Sequence, residues 1–196
     1  MKESLNFYST HPTNSALSNI AQFPTKIGER TFRSTEHQYY KCIILNDRKR
    51  ADVVLASKTH VERKRVSAAA ETATNINKTR KWNNVLAFVM YKCLSDKICL
   101  NRFVFDVLKA TEKWLLVEDN PHDNFWGSGL SAMDISQWLP DASFPHSNIM
   151  SKLLMQLKGT DSVADDENKY VFITDSIGKA VKISNITTIL WNGAKL

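Results

Sequence analysis

Groups able to do chemistry crowd into the run Glu118-Asp119-Asn120-Pro121-His122-Asp123-Asn124-Phe125-Trp126-Gly127-Ser128-Gly129. Glu118 and Asp123 lead into a Trp-Gly-x-Gly turn, and the Asn-Pro and Gly signals mark the whole run as a loop. In such a loop a carboxylate acts as a base or accepts hydrogen bonds from ribose hydroxyls, an aromatic plate stacks on a ring, and glycine lets backbone approach a ligand. Asp123 suits the first role, Trp126 the second, and Gly127 and Gly129 the third. A structural turn in which Trp126 plugs the core uses the same residue types.

Several elements must hold this loop. Leu115-Leu116-Val117 reads as a short apolar strand that delivers Glu118 and Asp123. Leu5-Asn6-Phe7-Tyr8 and Leu17-Ser18-Asn19-Ile20 read as further short strands. Phe23 to Ile27 and Arg30 to Phe32 suit a hairpin turning at Gly28-Glu29. Ser34 and Thr35 precede a run from Glu36 to Leu45, where a hydroxyl cap and an early acid favour a helix N-terminus. Basic helices are expected over 47–56 and 59–70, with 75–79 as a connection. From Lys81 to about Leu94 the apolar residues recur at helical spacing, and a separate helix from Asp96 to about Ala110 is expected, apolar through Ile98, Leu100, Phe103, Val104, Val107 and Leu108. Residues 130–147 read as loop, broken by Pro140 and Pro145. Asn148 to Lys158 has a helical period with Ile149, Leu153, Leu154 and Leu157 inward and Gly159 as its C-terminal cap. After an acidic linker come β-rich runs at 170–174 and 186–191.

These patterns predict an α+β fold, a mainly helical single domain over 1–158, followed by an acidic linker and a small β appendage over 159–196. At 196 residues and 43% hydrophobic content the chain can bury one sizeable core. No apolar run approaches a membrane span and the N-terminus lacks the apolar stretch of a signal peptide, so the expected location is cytoplasmic, without a membrane partner. Cys42, Cys93 and Cys99 are odd in number and lie among apolar residues, which fits reduced, buried thiols. The histidines are scattered and no zinc spacing, Walker loop or dinucleotide fingerprint occurs, so neither a metal nor a cofactor is expected. The net charge of +6 is concentrated in the middle of the chain, at Arg48, Lys49, Arg50, Lys58, Arg63, Lys64, Arg65, Lys78, Arg80 and Lys81. Such a cluster attracts a phosphate backbone or a pyrophosphate, or forms a solvated face with no partner.

The order of these features resembles the NADAR domain family, which includes the YbiA-like N-glycosidases, over nearly all of residues 5–158. The matching pieces are Asn6-Phe7-Tyr8, Leu17-Ser18-Asn19, the Gly28 turn before Phe32, Ser34-Thr35-Glu36-His37, Trp82 followed by Val89-Met90, and Lys97 ahead of Leu108 and Thr111. They continue with Leu116-Val117-Glu118, Asp123, Trp126-Gly127-x-Gly129, and Asn148 leading to Leu153-Leu154-Met155. The resemblance implies hydrolysis of an N-glycosidic bond in an ADP-ribose or ribose-phosphate compound. Family members remove ADP-ribose from guanine in nucleic acid, countering ADP-ribosyltransferase toxins, and others cleave riboflavin-pathway intermediates. It further implies a lysine that forms a Schiff base with the opened ribose, beside acidic residues. A desolvated lysine can attack the anomeric carbon while a carboxylic acid protonates the leaving base.

By position, the resemblance makes Glu36 and Asp123 catalytic acids, with Glu118, Trp126, Gly127, Gly129, Asn19, Trp82 and Asn148 as substrate-binding residues. The family usually carries a lysine seven residues after its first Glu, where this chain has Ile43. Lys41 is near, but about 140° from Glu36 around a helix. Lys97 matches a second family lysine and is the favoured nucleophile, with Lys41 the second choice. Ser151 stands where the family tends to have glycine. The expected pocket combines the start of the Glu36 helix, the Lys97 helix and the Asp123–Trp126 loop. The expected function is an ADP-ribosyl glycohydrolase that strips ADP-ribose from a nucleobase in DNA, guanine being favoured. ADP-ribose and ADP-ribosylated DNA are thus the expected partners. A riboflavin-type N-glycosidase and a non-catalytic ADP-ribose reader are the alternatives.

Overall fold

The computed structural model describes residues 4–43, 56, 80–137, 147–158, 171–174 and 180–183. Apart from helical Ala56, the basic helices expected over 47–56 and 59–70 lie outside the described residues, as do the 75–79 connection, Pro140, Pro145, Gly159 and the run 186–191. The fold is α+β, mainly helical with short strands. Two compact units divide it, one of residues 1–21 and 97–164, the other of 22–96 and 165–196.

In the first unit, strand β1 (Ser4–Phe7) pairs in parallel with β4 (Leu115–Glu118), setting Phe7 opposite Glu118. Leu116 and Val117 are buried, as an apolar strand covered on both faces requires. Helix α3 (Arg102–Ala110) buries Val104 and Leu108, and helix α5 (Ile149–Lys158) buries Ile149, Met150, Leu153, Leu154 and Leu157. The Lys158 ammonium donates to the Thr111 and Trp114 carbonyls, at 3.0 and 2.6 Å, and so fixes the turn that feeds β4.

The second unit holds the hairpin of β2 (Thr25–Ile27) and β3 (Arg30–Phe32), turning at Gly28 with φ 56° as expected. Helix α1 (Thr35–Ile43) follows, its first turn capped by Ser34, whose Oγ accepts the His37 N–H at 3.2 Å. Helix α2 (Arg80–Leu100) contributes the buried Ala87, Phe88, Val89, Met90, Cys93 and Leu94. Strands β5 (Val171–Thr174) and β6 (Ala180–Ile183) form an antiparallel pair.

Several expectations are corrected. Leu17 to Ile20 is not a strand: a 3-10 turn covers Ser15–Leu17, and the carbonyls of Ala16 and Ser18 go to a lysine instead of a ladder. The helices expected before and after Asp96 are one, α2, because the buried stripe of Met90, Leu94, Lys97 and Ile98 continues without a break. The break falls at Asn101, which turns extended and whose Nδ2 donates to the Lys97 carbonyl at 2.7 Å. That shift in frame leaves Leu100 and Phe103 exposed instead of inward, and Cys99 is exposed too. A short helix, α4 (Ala132–Gln137), lies within the expected loop, started by the Ser131 and Asp134 side chains bonding to each other at 2.7 Å. β5 pairs with β6, a strand over Ala180–Ile183.

Candidate active site

Glu118 ends β4 and is 4% exposed. Its Oε2 is buried and has no hydrogen-bond partner among the described residues. Burial penalises the anion, and the charge of Asp123 adds to the effect, so the carboxyl is pushed up to about 8. At neutral pH this side chain is a protonated acid.

The backbone of Glu118 is gripped from both sides. Its N–H reaches Ser151 Oγ at 3.0 Å and Asn148 Oδ1 at 3.3 Å. Its carbonyl accepts from Ser128 Oγ at 2.6 Å, from the Ser128 N–H at 3.2 Å and from the Asn120 N–H at 3.0 Å. The loop that follows is folded by Asp123, whose Oδ1 accepts the N–H groups of Phe125 and Trp126 at 2.9 and 2.8 Å. Phe125 and Trp126 meet edge to face, with ring centroids 4.8 Å apart. Gly127 is required by the loop's own packing, since a Cβ there would stand 2.8 Å from Asn120 Cβ and 3.0 Å from the Asp123 carbonyl oxygen.

The same loop seats α5. The first N–H groups of a helix lack partners within it. Here those of Ser147, Asn148, Ile149 and Met150 donate to the carbonyls of Asn124, Gly127, Phe125 and Trp126. Asn148 therefore has no need to cap the helix with its side chain. At φ 45° it turns that side chain toward β4 instead.

Lys97 is 1% exposed, in the last turn of α2 and not at a helix start. Its Nζ donates to the Ala16 and Ser18 carbonyls, at 2.5 and 2.8 Å. Desolvation lowers its amine to about 7, so a large share is neutral at physiological pH. These bonds fix the segment leading to half-buried Asn19, and Asn14 Nδ2, donating to the Asn6 carbonyl at 3.0 Å, ties that segment to β1.

Lys97, Glu118, Asp123, Trp126, Gly127, Gly129, Asn148 and Asn19 all belong to the first unit. Glu36 and Lys41 belong to the second unit, on α1, Glu36 buried and Lys41 half-buried. Helix α1 runs unbroken through both, so the angle of about 140° between them holds. Trp82 lies on α2, with its side chain outside the described residues. Sequence reasoning gave Glu118 a binding role and did not anticipate its raised pKa; the signal was its place at the end of an apolar strand, where water is excluded. It also overlooked Ser128, which nothing but its loop position marks, and noted Ser151 only as a departure from the family's glycine. Among the described residues, no group of His, Cys, Asp and Glu is arranged to hold a metal ion.

A protonated carboxyl and a partly neutral amine, buried in one unit beside a half-buried tryptophan, supply the parts for nucleophilic displacement with protonation of a leaving group. Comparison with known proteins bears on which reaction that is. The NADAR domain model matches residues 6–160. N-glycosidase YbiA of Shigella boydii serotype 4 (strain Sb227) is 30% identical over 127 residues, 64% of this chain and 75% of that protein. The riboflavin biosynthesis protein PYRR, chloroplastic, of Zea mays is 26% identical over 171 residues, 79% of this chain and 24% of that protein. The NMR structure of E. coli YbiA shares the fold with a TM-score of 0.58 at 24% identity, covering 81% of this chain and 84% of that one. The chain belongs to the NADAR domain family.

Proposed function

We propose that this chain is an N-glycosidase that hydrolyses the bond between ADP-ribose and a nucleobase, guanine, in DNA. The observation that carries the reading is the Glu118 carboxyl, buried, held by its backbone and protonated up to about pH 8. A departing base needs a proton, and an acid that keeps its proton at neutral pH can give it. The names of the YbiA relatives, N-glycosidases, support the reaction class. The basic stretch from Arg48 to Lys81 supports a polyanionic substrate, because a small metabolite needs few such charges.

In this reading the neutral Lys97 amine attacks C1 of the ribose, the C1–N bond breaks, and the base leaves with the Glu118 proton. The proton the new ammonium sheds returns to the Glu118 carboxylate; the glycosylamine opens to an imine as its remaining N–H proton passes to the ring oxygen, and water then releases the ribose aldehyde and restores the amine. The Ala16 and Ser18 carbonyls hold the amine in place. Asp123 and Trp126 engage the sugar and the base.

Incubation with a DNA oligonucleotide bearing ADP-ribosylated guanine tests the proposal. Release of free ADP-ribose that is lost in Glu118→Gln supports it. Binding without turnover would make the chain a reader. Cleavage of a ribose-phosphate riboflavin precursor but not of the DNA would favour the second reading, to which the likeness to the maize riboflavin protein lends weight. DNA affinity that does not fall with added salt would remove the nucleic acid from the account.

A further inference from the structure

We propose that Ser151 is a positioning residue: together with Asn148 it clamps the Glu118 amide and so sets the direction in which the Glu118 carboxyl delivers its proton. The inference rests on the reading of Glu118 as the acid.

Three buried groups close a triangle. The Ser151 hydroxyl donates to Asn148 Oδ1 at 2.7 Å, and the Glu118 N–H reaches both oxygens, at 3.0 and 3.3 Å. Ser151 is 0% and Asn148 1% exposed, so water does not compete for these bonds. The Glu118 N–H is a donor and demands that Asn148 present its oxygen. The Ser151 proton enforces that choice, because an amide turned the other way would face two donors with a third. Ser151 both gives and takes in this triangle, so its loss removes one acceptor from the Glu118 N–H and one donor from Asn148 Oδ1.

The clamp sits where it is needed. Glu118 is the last residue of a two-stranded parallel pair, and just past it the Asp119 N–H still donates to the Phe7 carbonyl at 3.0 Å. On its far side the Ser128 side chain holds the carbonyl. With both peptide groups fixed, the side chain leaves the backbone in one direction. Asn148 keeps a φ of 45°, uncommon for a residue other than glycine, and its Oδ1 is what a glycine there would lack. From the 119–129 loop Asp123 is the charged group acting on Glu118. From β1 the neighbour in register is Phe7, and from α5 the contacting groups are Asn148 and Ser151, none of which titrates.

The test compares full-length wild type, Ser151→Ala and Ser151→Thr by two independent readouts. Without substrate, NMR follows Glu118 amide exchange and the titration of its carboxyl. With ADP-ribosylated DNA, kcat and KM are measured. Ser151→Ala is expected to speed amide exchange, to bring the carboxyl down toward the ordinary carboxylate range, and to lower kcat about tenfold at constant KM. Ser151→Thr restores all three, and in a Glu118→Gln background Ser151→Ala has no further effect on rate. Should Ser151→Ala not fold, Ser151→Cys keeps the volume, weakens the bonds and is read the same way. Exchange and titration unchanged in a folded variant would overturn the clamp. A rate insensitive to Glu118→Gln would instead overturn the reading beneath it.

Discussion

Asp123 acts electrostatically on Glu118 through the loop that joins them, adding a charge to the burial that already keeps the Glu118 carboxyl protonated. The same aspartate folds that loop through Oδ1, so charge and architecture are separable by substitution. Asn keeps an acceptor for the Phe125 and Trp126 N–H groups and removes the charge; Ala removes both. Asp123→Asn is therefore expected to shift the alkaline limb of the rate profile down by less than about one pH unit with near-native stability. Asp123→Ala should in addition cost about 1–2 kcal/mol in urea unfolding, from two lost charge-assisted bonds. Equal stability of the two variants would deny the aspartate its architectural role.

Rate should follow a bell between two close limits. The reactive form needs Lys97 neutral and Glu118 protonated, and these coexist chiefly between about 7 and about 8. Lys97→Met is expected to abolish covalent trapping by borohydride, while Lys41→Ala still traps. Glu118→Gln is expected to lower kcat about 10²-fold or more and to remove the alkaline limb. Trapping that survives Lys97→Met would assign the amine elsewhere.

The two buried groups also shape stability, with opposite signs. Glu118 rises from 4.5 to about 8 on folding, so between those values the folded state holds the extra proton and stability falls as pH rises. Lys97 drops from 10.5 to about 7, so between those values the unfolded state holds the extra proton and stability rises with pH. Their sum declines from about 4.5 to 7, is flat from about 7 to 8 where the slopes cancel, and climbs toward 10.5. Each limb is on the order of a few kcal/mol. Urea midpoints across pH should show the falling limb reduced in Glu118→Gln and the rising limb reduced in Lys97→Met. The same curve in wild type and both variants would mean that neither group titrates as its burial requires.

Much of this arrangement is legible in the residues and some is not. The Gly28 hairpin, the Ser34 cap and the apolar stripe of α5 follow from local rules, because turn, cap and period each act within a few residues. The sequence suggests separate helices before and after Asp96, whereas α2 runs through it. In the structure Gln38, distant in sequence, donates to Asp96 at 2.6 Å, and no local rule contains that contact. Lys97 could have been placed from its position, three residues after Leu94 on a buried stripe, where a lysine is seldom found. The protonated Glu118 could not, since its state depends on burial by strands and loops far apart in sequence.

Two glycines separate close packing from backbone conformation. A methyl group at Gly127 would meet Asn120 Cβ at 2.8 Å and the Asp123 and Asn120 carbonyl oxygens at 3.0 and 3.1 Å. Two of those three atoms are backbone, so the loop must shift, and with it the Asp123 bonds and the carbonyls that seat α5. At Gly28 the added methyl meets nothing within 4 Å, and only the left-handed φ of 56° opposes it. Gly28→Ala is expected to cost about 1 kcal/mol and to leave kcat intact. Gly127→Ala is expected to cost about 2–3 kcal/mol and to reduce kcat at least tenfold, because it moves the residues that flank Glu118. Urea unfolding and turnover of both variants decide the matter. If Gly127→Ala were as stable and as active as Gly28→Ala, the loop's tight packing would have no part in holding the site.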